Sequence, residues 1–530
     1  MASPSKQEKK LRVLLIPFFT TSHIGPFADL AFHLAAARPG VVEATVAVTP
    51  ANVPVLRSAL SRRGPGHHAA VQVATYAFPP VDGLPPGVEN HSTARAADAW
   101  RIDAAAGDER LMRPGHEGLI RDRSPDAVIS DIHFYWNADI AASVRVPCVT
   151  FHVIGVFPLL AQFSLTGAGA TEATGGVVTL PGFLGLDIQI PVTELPEVVR
   201  SQTPEDRARG AQANSAHNES FGLIVNTFFD LEDRYCDMYK RHLKRAYFVG
   251  PLSLPPPSQL AAGDDGSRCI DWLDRKPARS VVYLCFGSLT HLSEPQLREL
   301  ALGLEASGKP FLWVVRSEAW VPPEGWKERV GDRGMVVTGW APQTVILAHP
   351  AVGAFVTHCG WNSVLETAVA GVPVLTWPMV FEQFITERFV TEVLKIGERL
   401  WPEGAGVRST RYEEHELIPS EAVARAVARF LEPGGAGDAA RSRVKELSAK
   451  AHAAMAEGGS SHGDLRRLID DLIEERAAGA GTTEDSHPAF TTSCIWEGPG
   501  PDSHPSDRRN HLPSRAAKDF SPLASSSAVD

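Results

Sequence analysis

Short apolar runs alternate with helix-like stretches along most of this 530-residue chain, and no other feature of the sequence constrains the fold more. Strands that alternate with helices favour right-handed βαβ units built on a parallel sheet. The runs that we interpret as strands of a first series are Val13–Phe18, Val42–Val48, Val71–Tyr76, Ala127–Ser130, Cys148–Phe151 and Leu223–Asn226. Those of a second series are Val282–Phe286, Phe311–Val315, Met335–Thr338, Ala354–Thr357 and Val372–Thr376. The pattern predicts an α/β fold with two doubly wound units.

A stretch rich in proline and glycine separates the two series and indicates a domain boundary. We predict an N-terminal Rossmann-like domain over residues 11–250, a linker over 251–268 and a C-terminal Rossmann-like domain over 269–476. Residues 1–10 are expected to be flexible. Residues 477–530 are expected to be disordered, because they are rich in Ser, Pro, Asp, Gly and Ala and have no apolar periodicity. Two such domains create a cleft between the carboxyl ends of two sheets, where ligands bind.

The composition disfavours some classes of partner. The chain has 51 basic and 62 acidic residues, a net charge of −11 and no long basic run. Nucleic acid is therefore not an expected partner, because a phosphate backbone requires clustered Lys and Arg. No stretch approaches the ~20 apolar residues of a membrane span. The six cysteines are scattered without a Cys-x-x-Cys pair, as is typical of a reducing cytosol. We expect a cytoplasmic protein, and a monomer.

Side chains suited to a nucleotide sugar cluster between Trp340 and Gln383. An aromatic plane such as Trp340 can stack on a base, and the carboxylates of Glu366 and Glu382 can accept hydrogen bonds from sugar hydroxyls. Each residue also has an ordinary structural explanation when it is taken singly. A tryptophan is often part of the core, and Asn-Ser before an apolar helix is often only a cap.

The same stretch contains a candidate phosphate site. A predicted strand ends near Thr357 and a helix-like stretch follows it. Phosphates bind where a helix begins, because free backbone N–H groups and the helix dipole point at the anion. Gly360 permits a tight turn there, and Asn362 or Ser363 can cap the helix. Ser288, which follows an earlier strand, repeats the arrangement, so both turns could face one diphosphate.

The stretch from Trp340 to Gln383 closely resembles the plant secondary product glycosyltransferase box, the nucleotide-sugar signature of the plant family 1 UDP-dependent glycosyltransferases. The similarity is nearly continuous over the box, which chance does not explain, and a wider resemblance runs from about Leu11 to Ala477. The resemblance implies a GT-B architecture, in which two Rossmann-like doubly wound domains face a central cleft. The N-terminal domain would bind the acceptor and the C-terminal domain the UDP-sugar.

The resemblance also assigns roles to matching positions. The base and ribose positions are Trp340, Ala341, Gln343 and Glu366. The diphosphate positions are Ser288, His358, Gly360, Asn362 and Ser363. The positions that face the donor sugar are Trp361, Glu382 and Gln383. Trp361 and Gln383 are similar to those of glucose-using members, so the resemblance implies UDP-glucose as the donor.

Transfer of a sugar to a hydroxyl requires a general base, because an alcohol is a poor nucleophile at neutral pH. His23 is expected in a loop after the first strand and just before a helix, where an α/β cleft places its working residues. An imidazole with a pKa near ~6.5 can be neutral at pH 7 and accept a proton. An arbitrary histidine in this place is more often a packing or capping residue. Its place before Pro-Phe-Ala-Asp-Leu-Ala nevertheless matches the catalytic histidine of the family.

Asp131 follows a later strand and matches the carboxylate of the family's His–Asp dyad. Such a carboxylate orients the imidazole ring and stabilises the imidazolium that forms. Asp126 precedes the same strand and is expected at the opposite edge of the sheet. His133 could line the acceptor pocket or be a surface residue of the following helix.

These expectations describe an inverting UDP-glucose-dependent O-glucosyltransferase that acts on small hydrophobic plant metabolites with flavonoid, other phenolic or terpenoid hydroxyls. The sequence has no Asp-x-Asp motif and no clustered metal ligands, so neither a metal nor another cofactor is expected. Two alternatives stay open. They are a sugar-nucleotide epimerase of similar build and a binding protein that keeps the donor site without catalysis. A dinucleotide-dependent oxidoreductase is disfavoured, because no Gly-x-Gly-x-x-Gly opens the first helix.

Overall fold

The computed structural model describes most of the chain. The described residues are 9–62, 70–167, 176–180, 188–200, 203–242, 245–254, 264–317, 320–402 and 404–481. Most of the predicted flexible N-terminus (1–10) and of the predicted disordered tail (477–530) lies outside these ranges, as does half of the predicted linker (251–268).

Two parallel sheets organise the described residues. The strands are β1 Leu11–Ile16, β2 Val42–Val48, β3 Val71–Thr75, β4 Ala127–Asp131, β5 Cys148–His152, β6 Val177–Thr179, β7 Gln189–Pro191, β8 Gly222–Val225, β9 Ala246–Phe248, β10 Val281–Cys285, β11 Phe311–Val315, β12 Gly334–Thr338, β13 Val352–Thr357, β14 Val374–Thr376 and β15 Gly397–Arg399. The first sheet has the order β3-β2-β1-β4-β5-β8-β9 and the second the order β12-β11-β10-β13-β14-β15. Strands β6 and β7 pair antiparallel.

The strands predicted from the apolar runs are all confirmed, with small differences at their ends. Parallel strands covered on both faces consist of nearly continuous apolar residues, and that is the pattern the sequence displays. The sequence reasoning missed β9 and β15, which have three residues each and are too short to produce a period. It also missed the β6–β7 pair.

Helices cover both sheets. They are α1 Thr21–Ala37, α2 Val53–Ser61, α3 Ala96–Ala106, α4 Glu109–Arg123, α5 Asn137–Ser143, α6 Val156–Gly167, α7 Glu197–Arg200, α8 Pro204–Glu219, α9 Phe229–His242, α10 Asp264–Leu273, α11 Glu294–Ala306, α12 Trp326–Val330, α13 Gln343–Leu347, α14 Trp361–Ala370, α15 Gln383–Arg388, α16 Ser420–Phe430, α17 Ala436–Met455 and α18 Ser460–Gly481. Within the described ranges, none of these helices has the length and apolar character needed to cross a bilayer.

The last helix packs on the N-terminal domain, although the sequence placed it in the C-terminal one. The apolar side chains of α18 are spaced to form one face and belong to the same core as β1, β2 and α1; they are Leu465, Leu468, Ile469 and Leu472. Phe248 N also donates to Asp464 Oδ2 at 2.8 Å. The helix continues to Gly481, beyond the predicted end of the domain at residue 476. Likewise, α10 begins at Asp264, inside the predicted linker.

A buried ionic cluster ties a segment of the N-terminal domain to the C-terminal domain. Glu194 follows β7 and lies 2.7 Å from Arg388 Nη1 and 2.9 Å from Arg408 Nε. The side chains of Glu194 and Arg388 are only 3% and 1% exposed. Thr410 N also donates to Thr193 O at 2.9 Å. We call Glu194, Arg388 and Arg408 the interdomain clasp.

Glu194→Gln is expected to lower the free energy of unfolding by about 3–5 kcal/mol, because it removes a buried negative charge that contacts two largely buried arginines. Urea denaturation followed by tryptophan fluorescence measures the change. Glu398→Gln is the matched control, since Glu398 pairs with Arg429 at 2.8 Å at the surface, where the two side chains are 32% and 65% exposed. The control should lose less than about 1 kcal/mol. Equal losses in the two variants would contradict a stabilising role for the clasp.

Candidate active site

His23 and Asp131 meet at the carboxyl edge of the first sheet. His23 Nδ1 lies 2.7 Å from Asp131 Oδ2. Asp131 is the last residue of β4, as the sequence indicated. His23 does not lie in a loop, because α1 begins at Thr21 and the histidine is in its first turn. The imidazole is therefore held on a regular element.

Pro26 frees a backbone acceptor in the turn that carries His23. A proline has no N–H to donate to the carbonyl four residues earlier, which here is that of Ser22. Asn362 Nδ2 of the C-terminal domain donates to this carbonyl at 2.9 Å.

The prediction that Asn362 or Ser363 caps α14 is wrong. Gly360 is the N-cap residue, and no side chain accepts a hydrogen bond there.

The Asp131 carboxylate receives four hydrogen bonds. Oδ2 accepts from His23 Nδ1 and from Phe18 N at 3.2 Å. Oδ1 accepts from His133 Nδ1 at 2.7 Å and from His133 N at 3.2 Å. A carboxylate with these partners acts only as an acceptor, so Nδ1 of each ring carries the proton. The Nε2 atom of His23 is then left with a lone pair, as a base requires.

Burial alone would raise the pKa of Asp131, but the charges and hydrogen bonds of His23 and His133 outweigh it and hold the pKa well below its usual range. Burial likewise opposes the charged form of His133. The hydrogen bond and charge of Asp131, with the charges of Asp103 and Glu382, nevertheless raise the pKa of His133. The carboxylate therefore stays ionised at neutral pH.

The ring of His358, just before α14, lies close to two glycines. They are Gly287, which follows β10, and Gly360, which precedes α14. A Cβ on Gly287 would lie 2.5 Å from the His358 ring, and one on Gly360 would lie 2.4 Å from its Nε2 atom. Gly287 also has a φ of +73°, which glycine adopts without strain. Burial lowers the pKa of His358 to about 4, so its ring is neutral at pH 7. Ser288 is close by and accepts a hydrogen bond from Ser92 Oγ at 3.4 Å.

The residues expected at the base and the ribose lie together. Gln343 Nε2 donates to Glu366 Oε2 at 2.5 Å and to Ser363 Oγ at 3.1 Å. Burial raises the pKa of Glu366 to about 7, and the hydrogen bond from Gln343 acts in the opposite direction. Trp340 is 59% exposed, so its ring is open to a base, whereas Ala341 is buried.

Trp361 packs between the domains. Its Nε1 atom donates to Asn226 O at 2.7 Å. A Cβ on Gly155 would lie 2.2 Å from the indole ring, so only glycine allows this approach. The contact fixes the start of α14 against the N-terminal domain. A contact of Trp361 with the donor sugar stays a prediction.

The two other positions expected at the sugar differ from each other. Gln383 is buried, and its Oε1 atom accepts from Met379 N at 3.0 Å and from Val380 N at 3.1 Å. Its carbonyl oxygen is thus used by the turn before α15. Glu382 is only partly buried, and burial raises its pKa while the nearby charge of His133 acts to lower it. Glu382 and the His23–Asp131 pair therefore lie in one region of the cleft.

A large cavity opens between the domains beside these residues. Its volume is about 1110 Å³, and both domains line it. Trp100 and Asp103 belong to the N-terminal wall, and Trp377, Phe381 and Tyr412 to the C-terminal wall. Asp103 lines this cavity, and its charge acts on His133.

The sequence reasoning missed two residues that join the domains at this cleft. Arg316 directly follows β11, and its Nη2 atom donates to Ser92 O at 3.0 Å. A basic residue at the end of a parallel strand was the signal that could have identified it. Ser92 carries no such signal, because it lies outside the regular elements.

Comparison with known proteins supports the same family. A model of the family described as UDP-glucoronosyl and UDP-glucosyl transferase matches residues 261–394. UDP-glycosyltransferase 73E1 of Stevia rebaudiana is 36% identical over 88% of this chain and 97% of its own length. Scopoletin glucosyltransferase of Nicotiana tabacum is 35% identical over 89% of this chain and 99% of its own length.

A solved structure extends the similarity to the fold. Glycyrrhiza uralensis UGT73P12, complexed with glycyrrhetinic acid 3-O-monoglucuronide, matches with a TM-score of 0.78 and 29% identity. The match covers 89% of this chain and 97% of that one. The GT-B architecture predicted from the sequence is therefore confirmed. Because the similarity spans both domains, the chain belongs to the plant UDP-dependent glycosyltransferases, which are hexosyl-transferring enzymes.

Proposed function

We propose that this enzyme transfers glucose from UDP-glucose to a hydroxyl of a small hydrophobic plant metabolite, with inversion at the anomeric carbon. The observation that carries the proposal is the 2.7 Å contact between His23 and the buried Asp131. It lies in the cleft that the start of α14 faces, and Asn362 joins the two sides directly. A binding protein without catalysis would not require a base oriented in this way.

The reaction follows from the tautomer of His23. Its Nε2 atom accepts the proton of the acceptor hydroxyl, and Asp131 stabilises the imidazolium that forms. The acceptor oxygen bonds to the anomeric carbon as the bond from that carbon to the diphosphate breaks, and UDP leaves with the electron pair. Displacement from the opposite face converts an α-linked donor into a β-glucoside. The transition state resembles an oxocarbenium ion, by analogy with glycoside hydrolysis.

The proposed donor site uses the start of α14. Its free backbone N–H groups and dipole face the diphosphate, beside His358 and Ser288. Trp340 stacks on the uracil, while Glu366 and Gln343 hold the ribose hydroxyls. Glu382 and Gln383 are the proposed contacts of the glucose. The family description, which includes glucosyl transferase, supports this donor.

We propose that no metal takes part. The start of α14 supplies electrostatic stabilisation to the leaving diphosphate, which is the role that a cation would otherwise have. In the described part of the chain, one group of three potential metal ligands comes together, and it is His23, Asp131 and His133. Both oxygens of its carboxylate already accept hydrogen bonds from the two imidazoles.

The acceptor is proposed to bind in the cavity between the domains. Aromatic side chains such as Trp100 and Phe381 suit a hydrophobic ring system. The tobacco relative is named for scopoletin, which supports a phenolic acceptor. The proposed compartment is the cytosol, in keeping with the five described cysteines, which are all free.

A screen of flavonoid, simple phenolic and terpenoid alcohols with UDP-glucose, read by mass spectrometry, is expected to give glucosides, because the base and the donor site share one cleft. The yield should be the same with EDTA present. Loss of activity in EDTA that a divalent ion restores would contradict metal independence.

Conversion of UDP-glucose alone into an isomer, without transfer to any acceptor, would instead indicate the epimerase.

His23→Ala is expected to reduce kcat by about 10²–10⁴-fold, because it removes the proton acceptor. The affinity for UDP-glucose, measured by calorimetry, should change little. His452→Ala is the matched control, since His452 is exposed on α17 and bonds only to its own helix. Nearly unchanged turnover of a phenolic acceptor by His23→Ala would refute the base assignment.

The KM for UDP-glucose is expected to rise as the pH falls from 8 to 6. Burial raises the pKa of Glu366 to about 7, so its carboxylate becomes protonated through this range and is a weaker acceptor for the ribose hydroxyls. Initial rates at several pH values and saturating acceptor give the KM. Glu366→Gln should have a higher KM at pH 8 and lose the dependence on pH. The same pH dependence in that variant would exclude Glu366 as its source.

A further inference from the structure

Asp131 holds a second histidine as well as His23. We propose that His133 binds the hydroxyl next to the one that is glucosylated, so that the enzyme prefers acceptors with two adjacent hydroxyls, as in a catechol. This inference rests on the proposed transfer to a hydroxyl, and it adds a substrate class to that function.

The two histidines are held in matching ways. His23 Nδ1 and His133 Nδ1 each lie 2.7 Å from a different oxygen of the same carboxylate. Their ring centroids are 5.2 Å apart and the ring planes meet at 69°. With both Nδ1 atoms engaged, only the Nε2 atoms remain for other partners. Within the described residues, neither Nε2 atom has a hydrogen-bond partner.

The side chain of His133 is exposed, although the carboxylate that holds it is buried. It is 46% exposed, compared with 16% for His23 and 0% for Asp131. Phe18 stacks on its ring at 4.3 Å between centroids and fixes the ring plane. The sequence left open that His133 is a surface residue of the following helix. Such a residue would need neither the hydrogen bonds to Asp131 nor the stacking on Phe18.

An acceptor with adjacent hydroxyls matches this pair of histidines. The two oxygens of a catechol are on adjacent carbons of one ring, and the two imidazole rings that would meet them have centroids 5.2 Å apart. If one oxygen is at His23 Nε2, the next faces the neighbouring ring. An acceptor with a single hydroxyl leaves the polar atom of His133 without this partner, which costs affinity in the transition state.

The charges that face His133 come from several elements. Asp131 ends β4, Asp103 lies on α3, and Glu382 precedes α15. All three are acidic and favour the imidazolium form, while His23 is the basic neighbour. When His133 is protonated, its Nε2 atom donates to the second oxygen and withdraws charge from the diol. The attacked hydroxyl thereby becomes more acidic.

The bonds change as in the proposed reaction. The attacked hydroxyl gives its proton to His23 Nε2, its oxygen bonds to the anomeric carbon, and UDP leaves with the electron pair. His133 forms and breaks no covalent bond. It keeps its hydrogen bonds to Asp131 and to the second oxygen throughout, so it contacts the substrate without being consumed.

A set of three matched acceptors tests the inference with the full-length enzyme and UDP-glucose. Methyl 3,4-dihydroxybenzoate has the adjacent pair, methyl 4-hydroxybenzoate lacks the second oxygen, and methyl 4-hydroxy-3-methoxybenzoate has it blocked. The wild-type kcat/KM is expected to be about tenfold or more higher for the dihydroxy ester than for either of the others. This margin exceeds the statistical advantage of two hydroxyls.

Three variants separate a contact with the acceptor from an effect through Asp131. His133→Phe keeps the stacking on Phe18 and removes both nitrogens. His133→Asn places an amide near the position of Nδ1, towards Asp131, while His133→Gln places one near the position of Nε2, towards the acceptor. The preference should disappear in the Phe and Asn variants and survive in part in the Gln variant. Circular dichroism and UDP affinity report whether each variant is folded.

The outcomes are distinguishable. Absence of a preference in the wild-type enzyme, or a preference that persists in both the Phe and Asn variants, would overturn the inference and leave glucosyl transfer standing. Loss of the preference in the Gln variant with retention in the Asn variant would also overturn it, because His133 would then act only through Asp131. No transfer to any phenol by an enzyme that binds UDP-glucose would overturn the proposed function and this inference together.

Discussion

The buried carboxylate of Asp131 is the group on which the geometry of the candidate site depends. Its donors come from the segment between β1 and α1 (Phe18), the first turn of α1 (His23) and the turn after β4 (His133). A carboxylate buried without such donors would become protonated, because desolvation disfavours its charge. With them it remains ionised and acts as an acceptor towards both rings. One side chain thus sets the tautomer of His23 and the orientation of two imidazoles.

The distance between that group and the donor site is set by contacts between domains. Asn362 bonds to the carbonyl of Ser22, one residue before His23, and Trp361 bonds to the carbonyl of Asn226. The first residues of α14 are therefore fixed to the N-terminal domain. Elsewhere in the interface, the interdomain clasp buries Glu194 against the C-terminal domain. These contacts hold the start of α14 against the turn of His23, so neither domain alone determines their separation.

Much of this arrangement could be predicted from local patterns. The buried strands are continuous apolar runs, and the box from Trp340 to Gln383 carries its chemistry in residue types. His23 was expected in a loop because the residues just before it are polar, and apolar residues at helical spacing were recognised only from Pro26 onwards. The structure places Pro26 well inside α1, and the donor that satisfies the freed carbonyl lies 340 residues from Ser22. No pattern of neighbouring residues predicts a contact between residues so far apart in the chain.

Other differences have the same origin. The apolar spacing of α18 predicts a helix with one buried face, but not which domain that face covers. The partners of Glu194 lie far from it along the chain, so its charge gave no sign of burial. The bond from His133 to Asp131 spans only two residues, yet it depends on the 3₁₀ turn Ile132–Phe134, which the sequence reasoning took for the start of a helix. Tertiary contacts and short irregular turns are therefore the features that could not be predicted from the sequence.

The pKa shifts keep a side chain charged on one side of the cleft and favour neutral side chains on the other. Around Asp131, hydrogen bonds preserve a buried negative charge. On the donor side, burial raises the pKa of Glu366 to about 7 and lowers that of His358 to about 4, so both groups shift towards neutrality. In the proposed reaction, the charge of the donor side arrives with the diphosphate and leaves with UDP, and the fixed N–H groups of α14 meet it without reorganisation. The positive charge that develops on His23 is instead met by Asp131. In the proposed reaction, the two developing charges therefore have separate partners, one on each domain.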